Sequence, residues 1–336
     1  MEKSTPSAAF AGLVELAGEK VGGKALLASD EFFAEKENLL KSGRGIFIPD
    51  KYTENGKWMD GWESRRKRVP GYDWCILKLG ITGFIKGVDI DTNHFLGNHP
   101  PYASIDACYL ESEPKTDDLQ NLNWVEILPK SPLNPGSQNL FATNGSDKPY
   151  NYLRLNIFPD GGVARLKVYG NVYKDWDKFK SDEMIDLAGL VNGGRVILAN
   201  DMFFGSKDNM INPNRAENMG DGWETKRKRI QTHPDWAIVK LAKAGSIKKV
   251  LVDTNHFKGN YPDHFWLEGC YEPNLADSEL TNSSIEWTEI LPKTKLSAHT
   301  EHFYDELKTD KTFTHVRINI FPDGGISRLR LFGFVS

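Results

Sequence analysis

The stretch RLNIFPDGGVARLKVYG, Arg154–Gly170, decides the fold. On either side of its centre, apolar and polar residues alternate: Leu155 and Ile157 share one face of the first run, Leu166 and Val168 one face of the second. A side-chain period of two belongs to a half-buried strand. Between the runs lies Pro159-Asp160-Gly161-Gly162, which is turn chemistry. Proline pre-sets φ for the first turn position, Asp suits the second, and glycine tolerates the positive φ that follows. The stretch reads as a β-hairpin, and it returns 163 residues later as RINIFPDGGISRLRLFG, Arg317–Gly333.

The rest of the chain repeats too. GWESRRKR, Gly61–Arg68, returns as GWETKRKR, Gly222–Arg229, at an offset of 161, and DTNHFLGN, Asp91–Asn98, returns as DTNHFKGN, Asp253–Asn260, at 162. GGKALLASDEFF, Gly22–Phe33, matches GGRVILANDMFF, Gly193–Phe204, at 171, so the first copy carries a longer loop between Phe33 and Gly61. A period this long means a duplicated domain, not a solenoid. Residues 22–173 and 193–336 are the expected repeats, with 1–21 as an N-terminal arm and 174–192 as a linker. Short alternating or apolar runs such as WCILKL (Trp74–Leu79), WAIVKL (Trp236–Leu241), WVEIL (Trp124–Leu128) and WTEIL (Trp287–Leu291) are further strands. The fold class is all-β: two tandem jelly-roll β-sandwich domains. Short helices are expected at the start of each repeat, in Glu31–Leu40 and its equivalent, and in the segments leading into each copy.

Composition narrows the function. A hydrophobic share of 39% with 26% charged residues is ordinary for a soluble globular protein, and a net charge of −4 argues against nucleic acid as a partner. No apolar run approaches the ~20 residues of a membrane span. The N-terminal residues lack the basic and apolar regions of a signal peptide. Cys75, Cys108 and Cys270 form no disulfide framework and suit a reducing compartment, so the expected location is the cytoplasm.

Three repeated motifs carry ionisable groups. DTNHF follows a strand and supplies Asp91, Asn93 and His94, and again Asp253, Asn255 and His256. These are parts for acid–base chemistry near neutral pH, and equally the parts of an Asx-turn with a histidine hydrogen-bonded beneath it. A metal site using Asp and His is the sharper alternative, but the chain has no HxH or HExxH pattern. GWE[ST][RK]RKR reads as a strand with Glu63, Arg65 and Lys67 on one face. It could grip a carboxylate through a guanidinium, or be a charged edge strand. Where one copy has Arg65 the other has Lys226, so Arg66 and Arg227 are the better candidates for a bidentate contact. FPDGGxxR ends in Arg165 and Arg328, held near the loop end of the sheet. Asp30 and Asp201 are expected to cap a short helix, and the Phe-Phe pairs after them to lie in the core.

Taken together, GWE[ST]RR, DTxHFxGN and FPDGGxxRxRxxG, in tandem over nearly the whole chain from about Gly22, closely resemble the allantoicase family. The resemblance implies a tandem jelly roll like that of galactose-binding and discoidin-type modules. It also implies hydrolysis of allantoate to ureidoglycolate and urea in purine (allantoin) degradation, and a homo-oligomer. Lys226 departs from the family's usual second arginine. On this basis the expected catalytic residues are His94 and His256 for proton transfer, Asp91 and Asp253 to orient them, and Glu63 and Glu224 in reserve. Arg65, Arg66, Asn98, Arg165, Arg227, Asn260 and Arg328 are expected to bind substrate. No cofactor is required on this reading, with a divalent metal such as Mn or Zn as the alternative. The first repeat is favoured because it keeps both Arg65 and Arg66. The competing class is a non-catalytic tandem β-sandwich that binds a small anionic or sugar-like ligand.

Overall fold

A computed structural model describes residues 8–144, 148–180, 182–230, 233–282 and 284–336. The chain divides into two compact units, Met1–Tyr173 and Lys174–Ser336. In unit 1 one antiparallel sheet runs in the order Val14–Glu15, Arg165–Val172, Asp73–Asp91, Tyr150–Phe158, Tyr102–Cys108, Val125–Pro132. Lys24–Ala28 and Leu140–Ala142 also pair with the long strand. Unit 2 repeats the order with Ile185–Asp186, Arg328–Val335, Asp235–Asp253, Thr312–Phe321, His264–Cys270 and Thr288–Lys295. Each unit is thus the β-sandwich repeat expected from the hairpin.

The long strand of 19 residues positions the site. Its first part pairs Tyr150–Phe158, from Tyr152 opposite Lys78 to Ile157 opposite Asp73, and its last part pairs Arg165–Val172, from Val172 opposite Gly83 to Arg165 opposite Asp91. Between them the register jumps, so one strand serves both layers. Its two ends come back to the same turn: Asp73 N–H donates to the Pro159 carbonyl at 3.1 Å, and Ala164 N–H to the Asp91 carbonyl at 2.7 Å. Leu155, Ile157, Leu166 and Val168 are all buried, as their alternation predicts. Each such side chain contributes roughly 1.5–3 kcal/mol.

The turn itself differs in detail from the expected type. The Phe158–Pro159 and Phe321–Pro322 peptides are cis, and Gly161 and Gly324 take φ of 137°. A Cβ at Gly161 would lie 2.7 Å from the Asn98 carbonyl oxygen and from Pro100 N, so the turn sits directly on the end of the DTNHFLGN loop.

Four local expectations are corrected. The lead-in segments are strands that hydrogen-bond into their sheets: Val14 opposes Gly170 and Ile185 opposes Gly333. Glu15 holds its segment extended by accepting from Ala17 N–H and Gly18 N–H, and Leu16 and Ala17 are both buried, which suits an extended chain rather than an amphipathic helix. Of Glu31–Leu40, Lys36–Leu40 forms a 3₁₀ turn, matched by Lys207–Ile211. The GWE motif is strand only at Trp62–Glu63 and Trp223–Glu224. The Phe-Phe pairs lie at the surface: Phe32, Phe203 and Phe204 are exposed.

The three cysteines are buried, unpaired thiols. Burial pushes the Cys108 and Cys270 thiols up to about 11 and about 12, far from nucleophilic thiolates. No helix among the described residues is long and apolar enough to cross a membrane.

Candidate active site

The loop at one end of each sandwich starts at the last residue of the long strand. Asp91 is buried there, and its carboxylate is fully engaged. Arg44 grips it with both prongs, Nε to Oδ2 and Nη2 to Oδ1 at 2.8 Å each, and Asn93 N–H donates to Oδ1 at 2.9 Å. Asn93 Nδ2 reaches back to the Gly45 carbonyl at 2.7 Å. Unit 2 copies this: Arg215 pairs with Asp253, Nε to Oδ2 at 3.0 Å, Asn255 N–H donates to Asp253 at 2.8 Å, and Asn255 Nδ2 to the Ala216 carbonyl at 3.0 Å. The sequence reading missed Arg44 and Arg215. A signal existed: the offset of 171 persists through both, and each follows a turn-type residue, Gly43 or Asn214, which the structure places at φ of 73° and 63°.

The expected Asp–His partnership is therefore not made. Asp91 and Asp253 are spent on arginine and on the turn. His94 takes φ of 67°, is exposed, and stacks on Phe47 with centroids 5.5 Å apart. Its imidazole makes no hydrogen bond among the described residues. His256 has φ of 69° but is tied down: its ring Nε2 lies 2.9 Å from the Ala216 carbonyl, which assigns the proton to Nε2, and its backbone N–H donates to His299 Nδ1 at 2.8 Å. The two copies differ here in two ways: the extra loop of the first supplies Phe47, and Gly136 stands where the second has His299.

Glu63 and Asn98 form a second pair, at the far end of the DTNHFLGN loop. Asn98 Nδ2 donates to Glu63 Oε1 at 2.7 Å, and Asn260 makes the same bond to Glu224 at 2.5 Å. Burial lifts the Glu63 carboxyl above its ordinary range, and the Asn98 bond recovers only part of that. A carboxyl that keeps its proton to higher pH is a general acid in waiting. Phe95, fully buried, fills the space beside it and lies against Gly61 and Gly162.

The basic residues sort into three kinds. Arg65 is ion-paired with Asp30 at 2.6 Å and Lys67 with buried Asp73 at 2.6 Å. Asp30 thus caps a turn, through Phe32 N–H, and holds the basic segment through Arg65 N–H, instead of capping a helix. Arg66, Arg68, Arg227 and Arg229 are exposed and have no partner among the described residues. Arg165 and Arg328 are corrected from substrate receptors to anchors. Arg165 is 3% exposed and donates to the Asp60 carboxylate at 2.7 Å and to the Asp60 and Ala164 carbonyls. Arg328 does the same with Asp221 at 2.8 Å. Burial raises the Asp60 carboxyl, but Arg165 and the Ile46 N–H outweigh it and hold it below its usual range. No cluster of three or more His, Cys, Asp and Glu side chains that could hold a metal occurs among the described residues. At Asp91 a cation would have to displace Arg44.

Against known proteins, the family model described as "Allantoicase repeat" matches twice, over residues 14–173 and 185–336. A Photobacterium profundum protein named "Probable allantoicase" is 48% identical over 97% of this chain and 98% of its own length. One from Pseudomonas fluorescens with the same name is 46% identical over 99% of both chains. The crystal structure of allantoicase from Saccharomyces cerevisiae superposes with a TM-score of 0.81 at 37% identity, covering 96% of this chain and 93% of that one. The repeat model matches both halves and the relatives match over nearly all of this chain, which belongs to the allantoicase family.

Proposed function

We propose that this chain hydrolyses allantoate to ureidoglycolate and urea, in the degradation of allantoin, and that unit 1 carries the chemistry. The observation that bears most weight is Glu63: a buried carboxyl with a raised proton affinity, held by Asn98, at the start of a segment that presents the unpaired Arg66 and Arg68.

Allantoate carries one carboxylate and two ureido groups on a single carbon. Arg66 takes the carboxylate through its planar fork. Glu63 gives its proton to the departing ureido nitrogen as the C–N bond breaks, and the bonding pair leaves with that nitrogen, so urea departs neutral. Water supplies the new C–O bond and loses a proton to His94, whose imidazole has no competing hydrogen bond. Asn98 positions Glu63, while Arg44 and Arg165 fix the loops that carry Asp91 and Asp60. Arg65, committed to Asp30, is a support for Arg66. The substrate is a small molecule; we further propose a cytoplasmic homo-oligomer.

The test is incubation of EDTA-dialysed protein with allantoate, measuring urea and ureidoglycolate. One-for-one release supports the reading. Release only after Mn²⁺ or Zn²⁺ is returned contradicts a reaction carried by side chains alone, and no release under any condition contradicts the function.

A further inference from the structure

Unit 2 has an open groove of about 710 Å³ lined by Arg227, Arg229, Asn260, Tyr261, Asp263 and Asp323, among others. Its third cation is already committed: Lys228 Nζ pairs with Asp235 at 2.6 Å, and Lys228 N–H donates to Asp323 Oδ2 at 2.7 Å. Arg227 and Arg229 have no partner among the described residues, in a chain of net charge −4. Asp263, on the same groove, is engaged by His264 and by Lys295 at 3.7 Å, so two guanidiniums without an ion-pair partner face one open carboxylate, Asp323, and their planar forks suit a ligand carboxylate. The second oxygen of Asp323 carries no hydrogen bond among the described residues and accepts N–H donors. That carboxylate repels a bare anion but suits an acid that also carries amide-type N–H groups. The proton-transfer side differs from unit 1. His256 is held by the Ala216 carbonyl and His299, whereas the His94 imidazole makes no hydrogen bond among the described residues.

We infer that the Arg227–Arg229 groove is a second ligand site, which binds a small ureido carboxylate without turning it over. The inference rests on the proposed function for the identity of that ligand, the substrate or its ureido product.

The experiment is equilibrium dialysis of the full chain with labelled hydantoate, which keeps the carboxylate and one ureido group but lacks the second. Two equivalents per chain are expected in the wild type and one in Arg227→Ala/Arg229→Ala, the retained equivalent also showing that the variant is folded. Acetate should compete for the lost equivalent at least tenfold more weakly than unlabelled hydantoate. One equivalent in the wild type, an unchanged count in the variant, or equal competition by acetate would each overturn the inference. Urea release from allantoate, measured on the same wild-type preparation, separates the two claims: its absence sinks the proposed function, whereas an altered stoichiometry alone sinks only the second site.

Discussion

Glu63 and Arg165 lie close in the fold and face opposite demands. Glu63 is buried with one amide donor and no cation among the described residues, so burial raises its proton affinity; Arg165 is buried against a carboxylate that offsets its charge. Replacing Glu63 by Gln should lower kcat by roughly 10²–10⁴, the value of one positioned acid, with a smaller effect on KM. The pH dependence has a definite sign. Glu63 must be protonated to act and its proton affinity is raised, so kcat should fall as pH rises through its elevated pKa, and Gln at this position should abolish that limb. A pH–rate profile of both proteins checks this. Arg165→Ala belongs to a different class. It leaves Asp60 buried without its partner, which costs about 3–5 kcal/mol, so denaturant unfolding should register the loss before any kinetic assay does.

At the scale of elements, the loop 46–59 of unit 1 is the longest insertion between the two copies. Unit 2 bridges the same two points, Ala216 and Asp221, with four residues. The loop brings Phe47 onto His94, with Lys57 Nζ 4.6 Å from the Phe47 ring centroid. Phe47→Ala should reduce kcat several-fold while moving the melting temperature little, because Phe47 is exposed; an unchanged kcat would show that the stack does not orient the imidazole. This element also marks how far the sequence could be read. The hairpin around Pro159-Asp160-Gly161-Gly162, the duplication and the DTNHF loop were legible because period-two alternation and turn residues act locally. The Arg44–Asp91 and Arg165–Asp60 pairs were not, because each joins residues 47 and 105 positions apart and no local pattern reports such a pairing. The lead-in strands were misread for the same reason: only the sheet that receives Val14–Glu15 makes that segment extended. The exposed Phe-Phe pairs broke the expectation in the other direction, since hydrophobicity alone does not say which face of a turn is covered.

In the whole molecule the repeats have diverged inside as well as at the loops. His315 is fully buried in unit 2 where unit 1 has Tyr152, and burial pulls its pKa from 6.5 down to about 4. The unfolded chain therefore takes up this proton first as pH falls. The associated stability is complete above about pH 6.5 and disappears as pH drops through about 4. At ~1.4 kcal/mol per pKa unit the loss is about 3 kcal/mol. Acid should therefore weaken unit 2 over this window more in the wild type than in His315→Tyr, as read by hydrogen exchange or limited proteolysis within Lys174–Ser336. Equal acid sensitivity would contradict the assignment.

On this reading the tandem chain cleaves allantoate with Glu63 of unit 1 as the acid. Steady-state urea release by wild type and Glu63→Gln, side by side at saturating allantoate, tests it most directly. The account predicts one urea per ureidoglycolate from the wild type and a rate at least 10²-fold lower from the variant. No urea from the wild type, or a variant that keeps the wild-type rate, would contradict it.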